Sequence, residues 1–276
     1  MNTMCTTEPF WRRGQPPKIY DIAVLRPSNL EKGERFETIA DAAAESLRSE
    51  QVLKRARRTS LPQQYLCECR AGYYHCEKLY CPVCGRAFRR WVIGETLNIV
   101  VGQCFGPNRV TTILLAKSKD IRDLDPSSFR ALIRKRLNQA GLKAVPVIGG
   151  FEMAYRAQDK SWVLHINLLT LGATKLALSR LEDSFGSSQF LRPTQTVSLN
   201  DLPEQLSYLL KFATYQRPLR QTGPKRSPAK PLNTREHVAL INWMSGYQFT
   251  NMLFLCGIRR QGDCLRCQVK MTAAQK

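Results

Sequence analysis

The sequence contains no apolar run of about 18 residues, the least that could form a membrane-spanning helix, so no membrane partner is expected. It has no G-x-x-x-x-G-K-[ST] phosphate loop, which argues against an ATP-driven helicase activity, and no stretch that repeats itself. The opening "MNTMCTTEPFWRRGQ" lacks the basic-then-apolar order of a secretory leader, and the expectation is a cytoplasmic protein. Acidic residues are scarce: 22 Asp plus Glu stand against 42 Lys plus Arg, a formal net charge of +20. Solubility does not require so large an excess. It favours an anionic partner, and nucleic acid is the expected one.

What is present is enough to fold. The chain has 276 residues, 43% hydrophobic and 9% aromatic, sufficient for one large domain or two small ones. Ten cysteines in a reducing compartment need another explanation than disulfides. Cys67, Cys69, Cys76, Cys81 and Cys84 form one group and Cys256, Cys264 and Cys267 another, while Cys5 and Cys104 stand alone.

Along the chain, four segments are expected. Residues 1–60 are a Pro-rich arm followed by an alanine-rich helix that ends in Lys54, Arg55, Arg57 and Arg58, more charge than a helix terminus needs. Residues 61–106 are a cysteine-rich, zinc-binding module, with a short helix in "AFRRWVIGETLNIVVGQC". Residues 107–216 alternate regularly: strand "RVTTILLA", helix "DPSSFRALIRKRLNQAG" with Asp125 as cap and Gly141 as stop, and strand "AVPVIGGFEMAYR". The turn "AQDK" then leads to strand "SWVLHINLLTLG", helix "TKLALSRLEDSF", strand "TQTVSLN" and helix "LPEQLSYLLKFATY". Residues 217–276 are a basic loop, an apolar helical segment "REHVALINWMSGYQFTNMLFLCG" and a tail with a second C-x-x-C. The order β-α-β-β-α-β predicts an α+β fold with a ferredoxin-like split βαβ core. Its four-stranded antiparallel sheet would carry helices on one face and leave the other open.

Cys81 and Cys84 in "CPVCG" have the spacing of a zinc knuckle. Two ligand sets are open. A local one takes Cys67 or Cys69, His75 or Cys76, and Cys81 with Cys84; a long-range one joins Cys81 and Cys84 to Cys264 and Cys267. Arg86, Arg89 and Arg90 follow the knuckle, and Arg217, Arg220, Lys225, Arg226 and Lys230 crowd the later loop. With the basic helix end they make up the expected phosphate-binding surface.

In "VLHINLL", His165 and Asn167 share one face of a strand, and Glu152 on the neighbouring strand can lie across from them. A carboxylate, an imidazole and an amide oxygen suit a hard divalent ion such as Mg or Mn. In "LSYLLKFATY", Tyr208 and Lys211 share a helix face. A phenol near a cation can attack a phosphodiester.

The element order with "GFEMAY", "WVLHINLL" and "YLLKFATY" resembles the HUH endonucleases, in particular the rolling-circle replication initiators of bacterial plasmids and related transposases. The resemblance covers about residues 65–216. It implies nicking of single-stranded origin DNA, with Glu152 and His165 as metal ligands, Tyr208 as nucleophile and Lys211 as its companion. The upstream cysteines resemble a zinc region found in some of these initiators. The sequence departs from the family where Asn167 replaces the second histidine. Two alternatives stand beside the enzyme: a non-catalytic DNA-binding regulator of transcription or replication, and an RNA-binding protein. A homodimer is compatible with any of the three.

Overall fold

The structure is a computed structural model that describes residues 39–57, 61–72, 76–102, 106–186, 193–198, 215–217, 230–262 and 264–269. The expected N-terminal arm and the expected helix carrying Tyr208 and Lys211 lie outside the described residues, except for the last residue of that helix, Tyr215, which belongs instead to a short strand, Tyr215–Arg217. Among the described residues no helix is long and apolar enough to cross a membrane.

Three helices come first: α1 (Ile39–Arg55), α2 (Leu61–Arg70) and α3 (Pro82–Gly102). A sheet of long strands follows, formed by β1 (Arg109–Ser118), β2 (Val147–Arg156), β3 (Ser161–Thr170) and β4 (Thr194–Ser198), with α4 (Pro126–Gln139) after β1 and α5 (Lys175–Ser184) after β3. Then come the short strands β5 (Tyr215–Arg217) and β6 (Lys230–Pro231), helices α6 (Thr234–Ser245) and α7 (Phe249–Met252), and strands β7 (Leu253–Cys256), β8 (Ile258–Gln261) and β9 (Cys264–Cys267).

The long strands run β4-β1-β3-β2, each antiparallel to its neighbours, and β7 pairs antiparallel with β2 to make five. The protein is therefore α+β, with a five-stranded antiparallel sheet extended at one end by β5 and β6. The helix signals act as expected. Asp125 accepts a hydrogen bond from the Ser127 amide at the start of α4, and Pro126 occupies its first turn. At its end Gly141 takes φ +81°, its amide reaching the Asn138 carbonyl while the Leu142 amide reaches that of Leu137, the paired bonds of a Schellman cap.

Several expectations are corrected. The helix leaving the cysteine segment begins at Pro82 and runs for 21 residues, so it is not short. The apolar segment after residue 233 is helical only in part: Gly246 closes α6, and "LFLC" becomes strand β7 on the edge of β2. The tail folds into the β8–β9 hairpin.

The main correction concerns the open face. Every residue of β3 is buried, and so is all of β2 except Arg156. One face, with Phe151, Leu164, Ile166 and Leu168, packs on the helices, where the Arg130 guanidinium lies over the Phe151 ring. The other face holds Ile148, Ala154, Val163 and Leu169, each at most 4% exposed. Apolar residues on both sides of a strand mark burial on both sides. The apolar run "WVLHINLL" carries that signature, and only His165 and Asn167 interrupt it. The buried core is continuous from Leu53 through the cysteine segment and the sheet to Leu265, so the segments distinguished in sequence share one interior.

Candidate metal centres

Four cysteines converge next to α3. Cys69 lies in the last turn of α2, and Gly72 at φ +78° turns the chain just beyond it. Cys76 lies in the irregular segment that leads to Cys81. Cys81 directly precedes α3, its carbonyl accepting from the Gly85 amide at 2.8 Å, and Cys84 sits in the first turn. Their sulfurs all lie within 4.8 Å of one another, and all four residues are buried. Cys69 and Cys76 each bring Sγ to 3.8 Å from Cys84 Sγ. Four sulfurs about 2.3 Å from a central ion form a tetrahedron with edges of about 3.8 Å, so the set fits a tetrahedral thiolate metal.

The electrostatics agree with that fit. Contacts from Cys76, Cys81 and Cys84 hold the Cys69 thiol far below its ordinary range. Cys81 is pushed well above it, first by its contacts with Cys69, Cys76 and Cys84 and then by burial. Cys84 is likewise raised, chiefly by Cys69 and Cys76. One sulfur becomes anionic only while neighbours stay protonated; all four ionise together only around a cation. The Cys76 amide donates to Cys69 Sγ at 3.1 Å, a bond that favours a thiolate. The N-terminus of α3 adds a positive potential at Cys81 and Cys84.

The structure thus takes the local ligand set and selects within it. Cys67 is exposed and outside the group. Two positions along a helix is a rotation of about 200°, so Cys67 and Cys69 cannot serve the same ion. His75 lies outside the described residues. The long-range solution is not the one formed. Cys264 and Cys267 occupy strand β9, where residues three apart point to opposite faces and cannot chelate as a knuckle does. The hairpin still packs against the cysteine module: the Leu265 amide donates to buried Glu95 of α3 at 2.8 Å.

The other expected ligand set lies in the sheet. The register sets Glu152 directly opposite His165, and Gly150 and Thr112 on either side of Asn167. Glu152 Oε2 is 2.8 Å from His165 Nε2 and 3.4 Å from Asn167 Nδ2. Glu152 and Asn167 are each 9% exposed and His165 is 1% exposed, so the cluster is inside the protein rather than on an open surface. Thr112 Oγ1 donates to Asn167 Oδ1 at 2.7 Å. This hydroxyl is a participant the sequence reading missed; the pairing of β1 beside β3 is what reveals it. On the outer edge of β2, β7 pairs with residues 147–150 and β5 with 155–156, which leaves the stretch holding Glu152 between the two pairings.

The basic residues are dispersed. Lys54 is exposed but paired with Glu50 at 2.6 Å, and Glu50 also binds Arg70. Those two cations hold the Glu50 carboxyl below its ordinary range, Lys54 contributing most. Arg55 and Arg57 are exposed, and Arg86 and Arg89 are half-buried. Arg90 is 4% exposed and so is removed from the expected contact surface; it sits on the inner side of α3. Arg58, Arg220, Lys225 and Arg226, like Tyr208 and Lys211, lie outside the described residues. Arg217 and Lys230 fall in β5 and β6, so the expected loop is bounded by short paired strands. No family model, curated protein or solved structure matches the chain.

Proposed function

We propose that this chain is a DNA-binding protein on a scaffold like that of the rolling-circle initiators, able to nick single-stranded DNA through Tyr208. In this reading Glu152, His165 and Asn167 hold Mg or Mn, and the four-cysteine centre holds a structural zinc. The observation that carries it is the direct opposition of Glu152 and His165 at 2.8 Å, with Asn167 on the same face. Cis ligands about 2.1 Å from an octahedral ion stand about 3.0 Å apart, and the separations of 2.8 and 3.4 Å bracket that value. The Asn167 amide must turn over to present its oxygen, and Thr112 Oγ1 can then accept from the amide nitrogen. The order β4-β1-β3-β2, with helices after β1 and β3, supports the ferredoxin-like reading. The +20 charge supports a polyanionic partner.

A cation in this site would polarise the phosphate and offset its growing charge. Tyr208 supplies the nucleophile: its oxygen bonds to phosphorus as the bond to one sugar oxygen breaks, and that oxygen leaves with a proton. Lys211 steadies the phosphate, and the reverse reaction rejoins the strand. A second reading, a non-catalytic DNA-binding regulator, is favoured by one observation. The Asn167 oxygen is already satisfied by Thr112, and Glu152 and His165 bond to each other.

The test uses the full chain with 5′- and 3′-labelled single strands tiled across the DNA beside its coding sequence, in Mg or Mn. A covalent protein–DNA band is expected from the wild type and lost in Tyr208→Phe. Binding without an adduct in either metal overturns nicking and leaves the regulator.

A further inference from the structure

We infer that the outward face of the β8–β9 hairpin is a phosphate-backbone contact, made by the cross-strand pair Arg259 and Arg266. The inference rests on the nucleic-acid reading above and adds a surface to it. Gly262, at φ +59°, follows β8 and turns the chain back toward β9. The register pairs Ile258 with Cys267, Arg259 with Arg266, Arg260 with Leu265, and Gln261 with Cys264. Side chains alternate between faces along a strand. Ile258 and Leu265, 4% and 3% exposed, therefore mark the inward face.

That inward face is fixed to α3. The Leu265 amide donates to Glu95, and the Arg260 guanidinium stands 5.9 Å from the centre of the Trp91 ring. At the base of the hairpin the Gln268 amide donates to the Gly257 carbonyl. The outward face carries Arg259, Arg266 and Gln261, all exposed.

Like charges directly opposite each other on a sheet repel. Among the described residues neither the Arg259 nor the Arg266 side chain makes an ion pair or hydrogen bond that would offset this. Folding is not served by the pairing, whereas a bound phosphate would relieve it. Two guanidinium forks on a rigid two-stranded ribbon, beside a neutral amide, suit bidentate contact with successive phosphates. Such contacts carry no sequence information, so the hairpin adds affinity and leaves specificity to other parts of the protein.

The test measures fluorescence anisotropy of a labelled single-stranded oligonucleotide with the full-length protein, from about 50 to 200 mM salt. Each phosphate contact on a single strand contributes about −0.7 to the slope of log affinity against log salt. Arg259→Gln with Arg266→Gln should flatten that slope by about 1.4, and over this range the wild type should lose about sevenfold more affinity than the variant. The Lys pair at the same positions should restore the slope, because it restores the charge. Lys175→Gln with Arg180→Gln, exposed on α5, is the control of equal charge.

An unchanged slope in the Arg259/Arg266 variant overturns the hairpin contact while leaving DNA binding standing. So does an equal flattening in the α5 control, which would make the effect one of net charge alone. No oligonucleotide binding by the wild type overturns both readings. Arginine-pair-dependent binding to phosphatidylserine vesicles, with none to the oligonucleotide, assigns the face to a membrane and overturns the proposal.

Discussion

Cys84→Ala separates a metal centre from a cluster of core thiols. Cys84 is fully buried, with Cys69 and Cys76 sulfurs at 3.8 Å. If it is only a small core residue, its loss removes one buried sulfur and leaves a void smaller than a methylene pair, a cost of about 1 kcal/mol. If it ligates a structural metal, the change is of another size. Zinc binding contributes about 10–16 kcal/mol to folding of small zinc modules, and a site with one ligand missing forfeits a large share. A loss of at least about 4 kcal/mol is expected, which is much of the 5–15 kcal/mol that a domain ordinarily has. Cys69→Ala, Cys76→Ala and Cys81→Ala should match it, because all four thiols close the same group. Cys67→Ala, exposed on the far side of α2, should fall within about 0.5 kcal/mol of wild type. Urea unfolding of each variant, with metal content measured on the same samples, provides the assay. A wild type that takes up no metal, with Cys84→Ala costing only about 1 kcal/mol, would refute the assignment.

Two further predictions address the fold. His237 is fully buried, its Nε2 3.1 Å from Ser49 Oγ, and burial, with a smaller contribution from Arg48, pushes its pKa from 6.5 down to about 4. The unfolded chain therefore binds the proton first. The His237 contribution is complete above about pH 6.5 and is lost as pH falls to about 4, a total of about 3 kcal/mol. Unfolding free energies between pH 7 and 4.5 should fall less steeply for His237→Gln, and parallel curves would contradict this account. Gly149→Ala would bring a Cβ to 2.6 Å from Leu168 Cδ2 and 3.2 Å from the Asn167 carbonyl oxygen. Overpacking of this kind costs about 1–3 kcal/mol, so a lowered urea midpoint is expected, and an unchanged one would show that the β2–β3 pair can relax.

The helices and strands from residue 109 to 184 are legible from local signals. Asp125-Pro126 opens α4, Gly141 closes it, and the "AQDK" turn joins strands of matching length. The tail is not recognised as a hairpin because its cue, Gly-Asp between two four-residue strands, is short and lies beside a C-x-x-C that invites a metal reading. Strand β7 is hidden for a related reason: "MLFLCG" is apolar on every side, and periodicity cannot tell a buried strand from the end of a helix.

The sequence by itself determined the chemistry on offer: a polycation, a knuckle of thiols, and a carboxylate, imidazole and amide spaced to share a sheet face. Period-two geometry places His165 and Asn167 together whatever surrounds them. The surroundings were decided only by tertiary packing. Contact between α2 and the start of α3 chose Cys69 and Cys76 over Cys67, Cys264 and Cys267, because helix phase and strand alternation are tested only when segments meet. The addition of β7 to β2 and the burial of both sheet faces placed Glu152 and His165 inside the protein. Burial depends on what covers a strand, and that is set by residues far away in the chain.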